Sequence, residues 1–149
     1  MENISNKLEN FVREIRNIEI YQSSALSFSD NMKGNLPNAD DLQYVFKVNP
    51  EDFERKLPTK RQDGNNYFEV DVNFPLLAMT KTNRDSLYEK FNRKGFCVVL
   101  VSNTESMVLG NDREPLGIDF LDAIKDNASG NDQFNISVTG KTIIPPKII

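Results

Sequence analysis

The chain has 149 residues, enough for one domain with its own core, and carries 27% charged residues and a net charge of -4. It contains no histidine, no tryptophan and a single cysteine. These absences exclude Ser-His-Asp and Cys-His nucleophile arrangements, His- or Cys-rich zinc sites and an internal disulfide, and leave carboxylates, lysines and hydroxyls as the only candidates for chemistry.

At the N-terminus, Ile4, Leu8, Phe11/Val12 and Ile15 recur at helical spacing. Residues 1–16 therefore read either as a short amphipathic helix or as an arm that orders on a partner. The first residues lack the basic start and apolar core of a signal peptide, so the chain is expected to be made in the cytoplasm. Ile18-Glu19-Ile20-Tyr21 reads as a strand. From Ser27 to Asp41 the composition is that of turns throughout. Leu42 to Val48 is a strand ended by Asn49-Pro50, and residues 50–66 follow as a charged loop with an Asp63-Gly64 turn, too long for a tight hairpin.

Tyr67 to Phe74 is the clearest strand, with Phe68, Val70, Val72 and Phe74 on one face and polar residues on the other, and Pro75 is expected to stop it. A helix is predicted over about 82–93. Thr82 and Asp85 resemble a capping box, Leu87/Tyr88/Phe91 form the buried face, and Arg93-Lys94-Gly95 close the helix.

From Gly95 onward the pattern is β. The apolar run Phe96 to Val101 reads as a central strand, which makes Cys97 a small buried hydrophobe. Met107 to Gly110, Pro115 to Leu121 and Phe134 to Thr139 follow as strands, with a Gly/Asn/Asp/Ser loop between the last two. Pro145-Pro146 then forces strand pairing to change or stop. Six to eight short strands and one firm helix predict a single, mainly β domain over residues 1–149: an antiparallel sandwich or barrel.

Charge is unevenly spread, -5 over residues 1–54, +4 over 55–102 and -3 over 103–149. Such alternation disfavours nucleic-acid binding and suits association through complementary patches. No apolar run is long enough to span a membrane.

Several local patterns suggest chemistry. Gly140-Lys141-Thr142 looks like the end of a phosphate loop, but Asn135 stands where the earlier glycine is required and no helix follows. Glu69 and Asp71 share a strand face and are candidates for a divalent metal if further acids such as Asp119 join them; the solvent face of an ordinary strand looks the same. The segment from Asp126 to Asp132 has oxygen ligands without EF-hand spacing. Asn3, Asn127 and Asn135 head acceptor patterns for glycosylation, which matter only in a secreted chain. Tyr67 is the one aromatic placed to stack on a glycan. No cofactor is implied.

Residues 95–149 also carry a resemblance. An apolar strand and short turn (Phe96 to Ser106) lead to Met107-Val108-Leu109-Gly110 and Pro115-Leu116. The loop from Asn127 to Asp132, the strand Phe134 to Gly140 and a terminal Pro145-Pro146 follow. This order resembles the small β-rich structural proteins of tailed bacteriophages and prophages, in the tail or head–tail junction. The resemblance implies a non-enzymatic virion component, made in the host cytoplasm, that forms a homo-oligomeric ring or tube and meets other virion proteins. It implies no catalytic residue and no metal. The expected inter-subunit contacts are Arg55, Lys56, Lys60 and Arg61 in the basic loop, Asp126 and Asp132 in the acidic one, and the N-terminal arm. A β-sandwich module for a glycan or peptide and a small carboxylate-metal enzyme such as a nuclease are the alternatives.

Overall fold

Alternating and continuous apolar runs build one antiparallel sheet of ten strands, curled into a half-barrel, in the computed structural model. The structure describes residues 14–77, 81–122 and 133–149. In chain order the strands are β1 (Ile15–Gln22), β2 (Leu42–Lys47), β3 (Glu54–Lys56), β4 (Thr59–Gln62), β5 (Asn65–Leu77), β6 (Arg93–Ser102), β7 (Ser106–Leu109), β8 (Leu116–Asp122), β9 (Gln133–Thr142) and β10 (Lys147–Ile148). Two short α-helices, α1 (Phe28–Lys33) and α2 (Lys81–Lys90), and three single 3-10 turns (Ser23–Ala25, Ala39–Asp41 and Pro50–Asp52) complete the described elements.

Two long strands organise the sheet. β6 pairs with β1 along one edge, and along the other with β8 at its start and β7 at its end. β5 pairs with β9 along one edge, and along the other with β4 and then β3. β8 and β9 join the two halves, while β2 beyond β1, β3/β4 beyond β5 and the two-residue β10 beyond β7 form the outer edges among the described residues.

The concave face holds the core. Ile18, Ile20, Val70, Val72, Phe74, Phe96, Val98, Leu100, Leu116, Ile118, Ile136 and Val138 are all buried there. α2 caps this face with Leu87, and Phe91, just past the end of the helix, meets Phe96 edge-on at 5.5 Å and Tyr44 at 5.4 Å. Tyr88 is 39% exposed rather than buried, although its ring sits edge-on to Phe120 at 4.8 Å. A smaller cluster of Tyr21, Leu26, Cys97, Val99 and Val108 covers the other face of β6, so this strand is buried on both sides as its continuous apolar run requires.

The thiol of Cys97 is fully buried, and burial pushes its pKa up from 9.0 to about 12. The unfolded thiol ionises first, so the stability held by the neutral buried thiol is complete below pH 9 and is lost as pH rises toward 12. Burial, and then its hydrogen bond to Glu19, also raise the Tyr21 phenol, which adds a later loss in the same direction. Tm is expected to fall above pH 9, with a shallower initial fall in Cys97→Ala. Identical slopes in the two proteins would remove Cys97 from the explanation.

Several elements depart from the sequence-based expectation. Residues 1–13 lie outside the described residues, but Ile15 and Arg16 open β1 and do not end a helix. The turn-rich stretch from Ser27 contains α1, whose first turn is capped by the Ser27 side chain accepting from Asp30 N–H and which ends at Gly34. Residues 50–66 are not one loop. They hold β3 and β4, and Asp63-Gly64, with φ of 51° and 79°, makes a two-residue turn that pairs Gln62 with Asn65.

β5 does not stop at Pro75 but continues to Leu77 against β9. β3 pairs no further along β5 than Asn73, so the proline lies where β5 has a neighbour on one side only. α2 ends at Lys90, and Arg93, Lys94 and Gly95 belong to β6. Asn92, at φ 65°, makes that transition. Its N–H donates to the Ile118 carbonyl at 2.7 Å, and its side-chain oxygen accepts from Phe120 N–H at 2.8 Å.

Candidate functional site

The period-2 geometry of β8, β9 and β5 sorts their polar residues onto the convex face, where register aligns them in rows. Glu54, Asn73, Ser137 and Asp119 form one row across β3, β5, β9 and β8. The next row holds Lys56, Asp71, Thr139, Gly117 and Lys94. Within the first row Ser137 Oγ donates to Asn73 Oδ1, and Asn73 Nδ2 reaches across to donate to Asp71 of the next row at 2.8 Å. A hollow of about 840 Å³ lies over this row, walled by Glu51, Asp52 and Glu54 on one side and Asp119 on the other.

Glu69 and Asp71 share the convex face, as their spacing predicts. Glu69 lies 3.6 Å from Lys60 Nζ and pairs in register with Lys141. Asp119 stands in a different row from both. Among the described residues no group of three or more His, Cys, Asp or Glu side chains is placed to hold a metal. Gly140 lies inside β9, away from any helix N-terminus. Its lack of a side chain serves packing, because a Cβ there would come within 2.5 Å of Leu116 Cδ2. Tyr67 is half-buried with the Lys141 ammonium 5.3 Å from its ring centre, so a cation already occupies its face.

The basic contact candidates separate. Arg55 sits opposite Val72 on the concave side and donates from Nη1 to Met107 Sδ at 3.5 Å. Lys56 faces outward opposite Asp71. Lys60 meets Glu69, and Arg61 donates from Nε to Asn66 Oδ1 at 3.2 Å. Lys56, Lys60 and Arg61 are exposed along the β3/β4 edge. Asp126 and Asp132 fall outside the described residues. Comparison with known protein families, curated proteins and solved structures finds no match to this chain.

Two features escaped sequence reasoning. One is a polar junction around the segment that joins β7 to β8. Asn111 is fully buried, and its Oδ1 accepts from Arg113 and Glu114 N–H at 3.0 and 2.9 Å. Glu114 accepts from Thr142 Oγ1 and Ile143 N–H, each at 2.8 Å, which ties the end of β9 to this segment. Asp112 adds α1 to the junction, accepting from Phe28 N–H at 2.8 Å. The Asn111-x-x-Glu114 spacing was the only available signal, and it resembles an ordinary turn.

The other feature is the free edge of β2. β2 pairs with β1 alone among the described residues. Leu42 and Val45 on this strand are 36% and 47% exposed. An unpaired strand edge presents backbone donors and acceptors together with side chains, and what it does chemically is accept another strand. No helix of the described residues is long and apolar enough to cross a membrane.

Proposed function

We propose that the protein is a non-enzymatic virion structural protein, a tail or head–tail junction component that assembles with itself into a ring or tube and contacts other virion proteins. The observation that carries this reading is the open half-barrel, whose β2 edge lacks a described partner and exposes apolar side chains. Isolated domains usually blunt such an edge, whereas subunits of an assembly use it. The alternating charge of the chain and the strand rhythm of residues 95–149 support the same reading. Purified full-length protein is expected to form rings or tubes of uniform diameter in negative-stain electron microscopy. Featureless particles of monomer size at every concentration would count against assembly.

A further inference from the structure

The outer edges of the sheet differ in how they are protected. β4, Thr59-Lys60-Arg61-Gln62, follows Pro58 and is exposed along its length. Cationic side chains and proline are the features by which strand edges avoid pairing with other chains. β2, Leu42-Gln43-Tyr44-Val45-Phe46-Lys47, has one charge and no proline.

The direction of the β2 backbone follows from one hydrogen bond. Val48 N–H donates to the Arg16 carbonyl at 3.0 Å, continuing a register that sets Asn17 against Lys47 and Ile18 against Phe46. Antiparallel partners exchange these bonds at alternate residues. Val48, Phe46 and Tyr44 therefore turn their backbone groups toward β1, while Val45 and Lys47 turn theirs to the open side. The register shifts at Ile20/Tyr21, passing over Gln43, so the straight part of the free edge is centred on Val45.

We propose that the free edge of β2 pairs antiparallel with the same edge of a second copy, across a twofold axis at Val45. The inference rests on the self-assembly reading above and adds one contact and its register: the twofold pairing makes a dimer, and a ring or tube joins such dimers through a second, different contact. Only odd-numbered residues facing odd-numbered residues bring outward backbone groups together. With Val45 on the axis, its exposed isopropyl group meets its own copy and Gln43 faces Lys47 of the second copy. The centre of the contact is apolar, and each Lys47 ammonium lies opposite the uncharged amide of Gln43. Moving the axis to Phe46 would put the two copies of Lys47 on a diagonal, like charge beside like. Pairing β4 with its own copy would bring Lys60 and Arg61 against their equivalents, so the apolar edge is the one that fits itself.

Two variants of the full chain test this. Opposed residues in a hydrogen-bonded antiparallel pair have Cα atoms about 5.5 Å apart, within disulfide reach. Mild oxidation is expected to convert Val45→Cys to a covalent dimer, while Lys60→Cys and the wild type, whose one thiol is buried, stay uncross-linked. Val45→Pro removes one outward N–H and no bond to β1, and is expected to weaken association about tenfold or more by light scattering. Should the proline variant not fold, the cross-linking comparison stands by itself.

A wild type that associates while Val45→Cys cross-links no faster than Lys60→Cys would overturn the β2 contact and leave self-assembly standing. A folded Val45→Pro that associates as tightly as wild type would do the same. A wild type that remains monomeric through the concentration series would overturn both.

Discussion

Phe96→Ala is expected to destabilise the domain by about 3–5 kcal/mol, read as a lower urea midpoint with an unchanged slope. Phe96 is 1% exposed and sits where β6 passes from pairing with β8 to pairing with β7. Its ring meets Phe91, at the exit of α2, edge-on at 5.5 Å, and its carbonyl oxygen lies 3.1 Å from where a side chain on Gly110 would begin. The sheet, the capping helix and the β7–β8 connection converge on this residue, so neighbours have little freedom to fill the cavity left behind. The loss is a large share of the roughly 5–15 kcal/mol that holds a domain together. Leu121→Ala, at a site 63% exposed, should change stability by no more than about 0.5 kcal/mol. A Phe96→Ala loss as small as that of Leu121→Ala would mean the core does not close around β6.

Glu114→Ala is expected to cost about 2–3 kcal/mol, because it removes the charged acceptor of two buried side chains. Thr142 is 3% exposed and Asn111 fully buried, and both donate to Glu114 Oε1, at 2.8 and 3.4 Å. Ile143 N–H donates to Oε2 at 2.8 Å. Truncation leaves the two buried donors, on Thr142 and Asn111, short of an acceptor, while the exposed Ile143 N–H can turn to water. Glu114→Gln keeps the shape and one acceptor, and should recover about half of the loss. Urea denaturation of the two variants beside wild type measures this, and equal costs for Ala and Gln would mean that charge, not hydrogen-bond shape, holds the junction.

The strands that could be read in advance are those whose burial is written into local periodicity. β5 alternates because one face is core, and β6 is continuously apolar because both faces are covered. β3 and β4 were missed because they lie at an edge, where Lys56, Lys60 and Arg61 face water and no apolar period marks a strand. Asp63-Gly64 was legible as a turn, yet that it closes a tight hairpin depends on β4 finding β5. α1 escaped because six residues, mostly polar, carry no helical stripe, although Ser27 and Gly34 are ordinary start and stop signals. Pro75 has its usual meaning only in a strand with neighbours on both sides.

The candidate site was less legible than the fold, since which strand ends at an open edge is a property of topology. Nothing in Leu42 to Lys47 says that β1 will cover one side of it and leave the other open. The Glu114 junction joins residues 28 positions apart through the path of β9. In the sequence Gly110 closes one strand and Gly140 resembles the end of a phosphate loop, but both stand against Leu116, where a Cβ would come within 2.9 and 2.5 Å of its side chain. The basic candidates Arg55 and Lys56 are adjacent in sequence and part company because successive residues of a strand face opposite sides.

The most direct test of the account is the native mass of the full-length protein by light scattering over a concentration series. Self-assembly predicts a discrete multiple of the 17.0 kDa chain that grows in with concentration and then holds constant. A mass equal to one chain across the whole series would contradict it.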